Sequence, residues 1–320
     1  FSTRFRSPET TDEIVDEVLA AAASQEPSVS VEQICLVHIR NLCASGDVRS
    51  AVRLSQTLNG KRICIGRRAY DCMLEAAETQ NDVHLLSEIF IHLLASCRSK
   101  ELNSPYLVVA RSLGKYKDHH PDLLSDFVKQ VCETRRCRAD LTLNRIIHAS
   151  AKSGHVDIAL QVFDHMKKTA TQKPDSFTYN IVISILGRLG RIDEMLHEFD
   201  SLKKTSNLVP DVVTYNTILN SLRKMGRLDL CLAHFKEMAD RGLQPDAITF
   251  KALIESLGRS GHIEKALQVF DEMNRNGIRP SVHIYRALVF SLKKMGKSEL
   301  ASKFSADMKK LQMESSAFSI

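Results

Sequence analysis

A basic side chain stands two residues before each of five evenly spaced glycines between positions 154 and 296. These five cations are Lys152, Arg188, Lys224, Arg259 and Lys294. The residues just after the glycines extend the set and are Arg191, Arg227, Lys297, His155 and His262. Cations repeated at one position suit the phosphates of a nucleic-acid backbone. The pattern therefore predicts a phosphate-contacting stripe, although Lys and Arg near a helix C-terminus also stabilise the helix dipole.

Residue pairs that could perform catalysis are few. Cys231 and His234 are three residues apart, as a nucleophile and its base would be on one helix face, but their helical apolar surroundings favour packing. His119 and His120 precede Pro121 in a predicted loop, where solvated histidines are expected rather than metal ligands. The chain contains no HExxH, CxxC, GxSxG or glycine-rich phosphate loop. We therefore predict no enzymatic activity, no metal, no cofactor and no small-molecule substrate.

The composition predicts a helical protein. Glycine (13) and proline (8) are scarce, tryptophan is absent, and helix-forming residues are frequent. The apolar runs, such as 106–110, are far shorter than the roughly 18 to 20 residues that cross a bilayer, so no membrane partner is expected. Eight cysteines without a paired motif indicate reduced, structural thiols. The net charge of +6 is compatible with a polyanionic partner.

The first seven residues carry Arg4 and Arg6, three hydroxyl side chains and no acid. This composition suits the end of an organelle-targeting presequence, and a frayed basic terminus is the alternative. The sequence thus favours a mitochondrial (matrix) location, with the plastid as second choice.

A pattern of 35 or 36 residues repeats along the chain. Its four-residue openings end at Asn144, Asn180, Asn216, Lys251 and Arg286, and a glycine follows each ten residues later. The five cations stand eight residues after these ends, a little over two helical turns, so they are expected on the same helix face as the asparagines. Gly46 and Asn81, which are 35 residues apart, continue the pattern weakly upstream. Within a unit, apolar residues at helical spacing form two segments that are separated by the glycine. Each unit is therefore a predicted helix pair that buries its apolar stripe only by stacking on its neighbours.

The repeat length, the Val-Thr-Tyr-Asn opening at 213–216, the Lys/Arg-x-Gly turn and the Pro-Asp closing at 210–211 resemble the pentatricopeptide repeat family, of the plain P type. The resemblance implies an all-α, right-handed superhelical solenoid of antiparallel helix pairs. It covers 140–316 as five clear repeats and 31–139 as degenerate helical repeats. Residues 1–30 are predicted as an N-terminal tail that contains the remnant of the targeting region, and 317–320 as a C-terminal tail.

The same resemblance implies that single-stranded RNA runs along the first helices, at about one base per repeat. The fifth residue of a repeat and its last residue would read the base, and the second residue would wedge between bases. The implied base-reading pairs are Asn144 with Asp175, Asn180 with Asp211, Asn216 with Asp246, Lys251 with Ser281, and Arg286 with Ser316. The first three resemble the pyrimidine-reading combination, whereas the last two depart from it. The implied wedging residues are Leu141, Phe177, Val213, Ile248 and His283.

Two functions fit these features. The first is an organellar RNA-binding protein that holds single-stranded RNA in mitochondrial RNA metabolism or translation. The second is a structural subunit of the mitochondrial ribosome that binds both ribosomal RNA and ribosomal or other ribonucleoprotein proteins. The sequence leaves both open, because RNA contact is common to them.

Overall fold

The computed structural model describes residues 11–23, 30–96, 103–116, 122–134, 138–168 and 173–317. In these residues the secondary structure is entirely helical, so the predicted all-α class is confirmed. The helices are α1 (Thr11–Ala23), α2 (Val31–Ala44), α3 (Val48–Gly60), α4 (Arg67–Gln80), α5 (Val83–Ser96), α6 (Asn103–Tyr116), α7 (Leu123–Glu133), α8 (Ala139–Lys152), α9 (Val156–Lys168), α10 (Ser176–Arg188), α11 (Ile192–Lys204), α12 (Val212–Lys224), α13 (Leu228–Asp240), α14 (Ala247–Arg259), α15 (Ile263–Arg275), α16 (Val282–Lys294) and α17 (Ser298–Ala317).

After α1, the described helices follow one another as eight pairs, which matches the five clear and three degenerate repeats of the sequence. In each pair the even-numbered helix is the first helix of the repeat and the odd-numbered helix is the second. The chain divides into two compact units, Phe1–Pro174 and Asp175–Ile320. The first clear repeat, which begins at Asp140, therefore belongs to the same unit as the degenerate ones.

First helices pack against first helices within each unit. In the first unit α2 contacts α4, α4 contacts α6 and α6 contacts α8; in the second, α10 contacts α12, α12 contacts α14 and α14 contacts α16. At Gly187 a Cβ atom would lie 2.1 Å from the Ser221 Oγ of the next first helix. The close approach of α10 and α12 therefore depends on the absence of a side chain at this glycine.

The aromatic residues of the repeat pattern join consecutive repeats. Phe199 of α11 meets Tyr215 of α12 edge to face, with ring centroids 5.4 Å apart, and Phe270 of α15 meets Tyr285 of α16 at 5.6 Å. Phe199 and Tyr215 are completely buried. Such a pair stabilises by about 0.5 to 1.5 kcal/mol beyond the burial of its area. The core is therefore a series of contacts between neighbours, as a repeat array requires.

The described part of the predicted N-terminal tail is a packed helix. In α1, Ile14, Val15 and Val18 are buried, and the helix contacts α2 and α3. Their spacing of one and three residues places them on one face of a helix, which explains why this stretch joins the core. The basic residues that suggest a targeting remnant, and the histidines at 119 and 120, lie outside the described residues.

Two further observations concern membrane-spanning helices and the cysteines. Within the described ranges, no helix is both long and apolar enough to span a bilayer. The described cysteines, Cys35, Cys43, Cys64, Cys72, Cys132 and Cys231, are free thiols.

The turn glycine of each clear repeat adopts a left-handed backbone conformation, which predicts a specific sensitivity to substitution. Gly226 has φ +70° and nothing within 4 Å of a built Cβ, so Gly226→Ala adds only backbone strain. We expect it to lower the free energy of unfolding by about 1 kcal/mol, as measured by urea unfolding followed by circular dichroism.

Gly60→Ala is the matched control, because Gly60 ends α3 without a positive φ and its Cβ would also meet nothing within 4 Å. This change should raise stability by about 0.4 to 1 kcal/mol, since alanine lowers the entropy of the unfolded chain. Equal effects of the two substitutions would contradict the assignment of backbone strain to Gly226.

Candidate nucleic-acid interface

Asn216 of α12 is held by the next repeat. Its Nδ2 donates to both carboxylate oxygens of Asp246, each at 3.0 Å, and its Oδ1 accepts from the Thr249 hydroxyl at 2.6 Å. Because both oxygens belong to one carboxylate, a single N–H can point between them. One N–H and one lone pair of the amide then remain for a ligand. The fifth-place amide is thus oriented by the residue that the sequence pairs with it.

Asp246 has a second task as the N-cap of α14. Its Oδ1 accepts from the backbone N–H groups of Ile248 and Thr249, each at 2.9 Å, and the Asp246 N–H donates to the Thr249 hydroxyl at 3.2 Å, which completes a capping box. Burial raises the pKa of the Asp246 carboxyl, while the Thr249 N–H and the Asn216 amide lower it, and the net effect is a pKa below the ordinary value. The carboxylate is therefore charged where it holds Asn216.

The preceding repeat has the same parts in a different arrangement. Asp211 caps α12, and the Thr214 hydroxyl donates to the Asp211 Oδ1 at 2.8 Å. The Oδ1 of Asn180 is buried and has no hydrogen-bond partner in the part of the chain that the structure describes. Asn180 consequently offers an unoccupied acceptor, whereas the acceptor of Asn216 is bonded to Thr249.

The other predicted base-reading residues vary in burial. Asn144 is buried in α8, and Asp175 is the exposed N-cap of α10. Lys251 is half-buried and Arg286 is exposed. Ser281 precedes α16 without a side-chain cap, and the side chain of Ser316 lies outside the described ones.

The predicted wedging residues are exposed on the first turns of their helices. Phe177 and Val213 are each 60% exposed, and Leu141, Ile248 and His283 are exposed as well. An apolar side chain in this position has no role in the core. Within the second unit, the repetition of this exposure at the start of α10, α12 and α14 marks one surface row, and Leu141 holds the same place on α8 of the first unit.

The five cations before the turn glycines are also exposed, and none of them takes part in an ion pair within the described residues. Each cation stands eleven residues after a wedging residue, so the two side chains point in directions that differ by about 20° around the helix axis. It stands eight residues after a fifth-place residue, and these two directions differ by about 80°. The cations therefore share a line with the wedging row. The sequence analysis expected the cations on the same helix face as the fifth-place asparagines. This expectation was wrong, because the asparagines turn toward the neighbouring repeat.

The residues after the glycines have acidic neighbours. Arg191 pairs with Glu194 at 2.5 Å, Arg227 with Asp229 at 3.3 Å, and Lys297 with Glu264. Exposed pairs of this kind contribute little to stability and exchange readily. They reduce the charge that these three residues present, whereas the five cations before the glycines keep their charge unpaired among the described residues.

Sequence reasoning missed two groups at this interface. The threonines Thr178, Thr214 and Thr249 are buried and build the capping boxes, and Thr249 also fixes Asn216. Their constant place after the wedging residue was the available signal. The half-buried ion pair of Arg223 with Glu255 joins α12 to α14, and it occurs in one repeat only, so no periodicity could reveal it.

The residues with catalytic or metal-binding potential are not assembled for either task. Cys231 is completely buried, burial raises the pKa of its thiol, and His234 lies 3.1 Å from Glu237 instead. The described residues contain no group of three or more His, Cys, Asp or Glu that could hold a metal ion.

Comparisons with known proteins find the same repeats. A model of the PPR repeat family matches residues 140–188, 210–259 and 247–294, and a model of the single PPR repeat matches 177–204. A pentatricopeptide repeat-containing protein of Arabidopsis thaliana, named as mitochondrial, is 27% identical over 168 residues. The match covers 52% of this chain and 26% of that protein, so the chain spans about a quarter of the length of this relative.

Two solved structures are also similar. The maize protein PPR10 in complex with an 18-nt psaJ RNA element is 20% identical with a TM-score of 0.48, over 97% of this chain and 49% of that chain. The PPR domain of Arabidopsis thaliana protein-only RNase P 1 in complex with tRNA is 17% identical with a TM-score of 0.47, over 54% of this chain and 90% of that chain.

The different bonding of Thr249 and Thr214 leads to a prediction with an internal control. Thr249→Val removes a capping-box hydroxyl and also leaves the Oδ1 of Asn216 without its donor, at a residue that is only 6% exposed. Thr214→Val removes a capping-box hydroxyl alone. We expect Thr249→Val to reduce the free energy of unfolding by about 1 to 3 kcal/mol more than Thr214→Val does, in urea titrations.

Thr249→Ser should recover most of the difference, because it restores the hydroxyl. Indistinguishable losses for the two valine variants would mean that the bond from Thr249 to Asn216 does not contribute.

Proposed function

We propose that this chain, which belongs to the pentatricopeptide repeat family, binds single-stranded RNA along its first helices and acts in mitochondrial RNA metabolism or translation. The proposal assigns the chain a binding role without chemistry of its own. The observation that carries it is an exposed apolar side chain and an unpaired cation on the same face of each of α10, α12 and α14 in the second unit, from Phe177 and Arg188 to Ile248 and Arg259.

This line combines the two interactions that single-stranded nucleic acid offers. Bases have apolar faces that pack on exposed side chains such as Phe177, and phosphates are attracted by cations such as Arg188. On α10 the two residues are eleven positions apart, which is about 16 Å along the helix axis. A strand that crosses the first helices can therefore meet an apolar group and a cation at every repeat.

The fifth-place asparagines would add base selection. An amide offers both a donor and an acceptor, and pyrimidines present both along one edge. The Oδ1 of Asn180 is buried without a partner among the described residues, so it would accept a hydrogen from a base, such as the N3–H of uracil, once the side chain turns toward the strand. Asn216 has its amide orientation set by Asp246 and Thr249, so it would present a fixed donor and acceptor. Purines also present a donor and an acceptor along one edge, so the amide alone does not select the base. Because the Asn and Asp pairs resemble the family's pyrimidine-reading combination, we propose a preference for pyrimidines opposite these repeats.

The mitochondrial assignment has two supports. The Arabidopsis relative carries that location in its name. The composition of the first seven residues, with Arg4, Arg6 and three hydroxyl side chains, is compatible with an organelle location.

Salt dependence tests the phosphate contacts. Each phosphate of a single strand that a protein cation neutralises contributes about −0.7 to the slope of the logarithm of the binding constant against the logarithm of the salt concentration. The double variant Arg188→Gln with Lys224→Gln should therefore have a slope that is shallower by about 1.4, as measured by fluorescence anisotropy with oligouridine.

The double variant Lys236→Gln with Lys265→Gln is the control, since it removes the same charge from exposed positions on α13 and α15. Its slope should equal that of the unmodified protein. Absence of oligouridine binding at low salt in the unmodified protein would refute the proposed function itself.

Base preference tests the asparagines. Asn180→Ala should reduce the preference for oligouridine over oligoadenosine by about fivefold, because it removes a hydrogen bond worth about 1 kcal/mol. Ser184→Ala, one turn later on α10, should leave the preference unchanged. A preference that survives Asn180→Ala would contradict the base-reading role of this residue.

A further inference from the structure

The exposed face of α16 carries an aromatic ring among cations. His283, Phe290 and Lys294 lie within about 40° of one another around the helix axis, and Arg286 and Lys293 flank them on one side. All five side chains are exposed. They extend from the first turn of the helix to its last residue. The face is thus a continuous strip along the whole helix.

Phe290 has no counterpart on the other first helices of this unit. The equivalent positions hold Ser184, Asn220 and Glu255, which are half-buried. Phe290 is 66% exposed, although a ring of its size is normally buried. The core on the opposite side of α16 is complete without it, since Tyr285 already packs on Phe270 and Phe304. The ring therefore does not serve the packing of the described structure.

The charge around Phe290 is positive. The helix α16 contains no acidic residue. Arg286, Lys293 and Lys294 form no ion pair within the described residues. On the neighbouring α14, Glu255 is engaged by Arg223. A polyanion with flat apolar groups complements this strip better than an apolar protein surface would, because such a surface would bury three uncompensated cations.

From these observations, and resting on the proposed function, we infer that the α16 face is a base-stacking site for single-stranded RNA that does not select the base. Phe290 stacks on one base, and Lys293 and Lys294 bind the adjoining phosphates. Stacking on a phenyl ring is tolerant of base identity, since every base has a π-face. Arg286, at the place where other repeats carry asparagine, adds a planar cation beside the base.

The absence of tryptophan from the chain allows a direct test. Phe290→Trp introduces a single fluorophore at the inferred stacking position. Oligouridine and oligoadenosine should both quench its emission, because a stacked base quenches indole fluorescence. Val209→Trp is the control, since Val209 is 70% exposed in the turn before α12 and off the first-helix faces. Its emission should not change.

A second variant measures the contribution to affinity. Phe290→Ala should weaken the binding of both oligonucleotides by about tenfold, because one stacked base contributes about that much. Circular dichroism should remain unchanged, since the ring is exposed. The inference would be overturned if Phe290→Ala bound both oligonucleotides as tightly as the unmodified protein does and the emission of Phe290→Trp were not quenched. The proposed function would then still stand, because the unmodified protein binds RNA.

If the unmodified protein did not bind RNA at all, that result would instead refute the proposed function. The rival occupant of the face is a second copy of the chain. A monomer–dimer equilibrium in sedimentation that Phe290→Ala abolishes, without an effect on RNA affinity, would overturn the inference in favour of self-association.

Discussion

Within each of the two units, the packing of each first helix against the first helix of the next repeat is the contact on which the rest of that unit depends. A single pair of helices cannot bury its apolar stripe, and the rings of Phe199 and Tyr215 show that burial is completed only between repeats. The same contact brings Asp246 to Asn216 and Arg223 to Glu255. Because the neighbour completes each repeat, side chains at equivalent places face the neighbouring repeat, while the bonds they form there differ, as at Asn180 and Asn216.

This constraint divides a first helix into two sides. Positions that face the next helix hold small or hydrogen-bonded residues, such as Gly187 and Asn216, and are buried. Positions about a quarter turn away stay exposed and carry Phe177 or Val213 at one end of the helix and a cation at the other. Stability and the proposed RNA contact thus fall on different sides of one element.

The sequence predicted the repeats well because their period, the turn glycines and the Pro-Asp closings are local signals. The eight helix pairs of the described residues followed from them. The second-place residues were implied by the resemblance to the family, and the structure adds that they are exposed. The angle between the cations and the asparagines around the helix axis did not follow from these signals. A separation of eight residues is close to two full turns, yet it leaves the two side chains about 80° apart. Thr249 bonds to the Oδ1 of Asn216, whereas the Oδ1 of Asn180 has no partner among the described residues. This difference depends on small shifts between neighbouring repeats, which no sequence pattern encodes. The packing of α1 was missed because residues 1–30 were assigned to a tail on the composition of the first seven residues, which precede this helix.

The central claim is that the exposed side of the first helices carries the RNA. Photocrosslinking of the full chain to a thiouridine-labelled oligouridine, with the attachment sites mapped by mass spectrometry, tests it most directly. The account predicts attachment within α10, α12, α14 and α16, near Phe177, Val213, Ile248 and Phe290. Attachment confined to the second helices α11, α13 and α15 would contradict it.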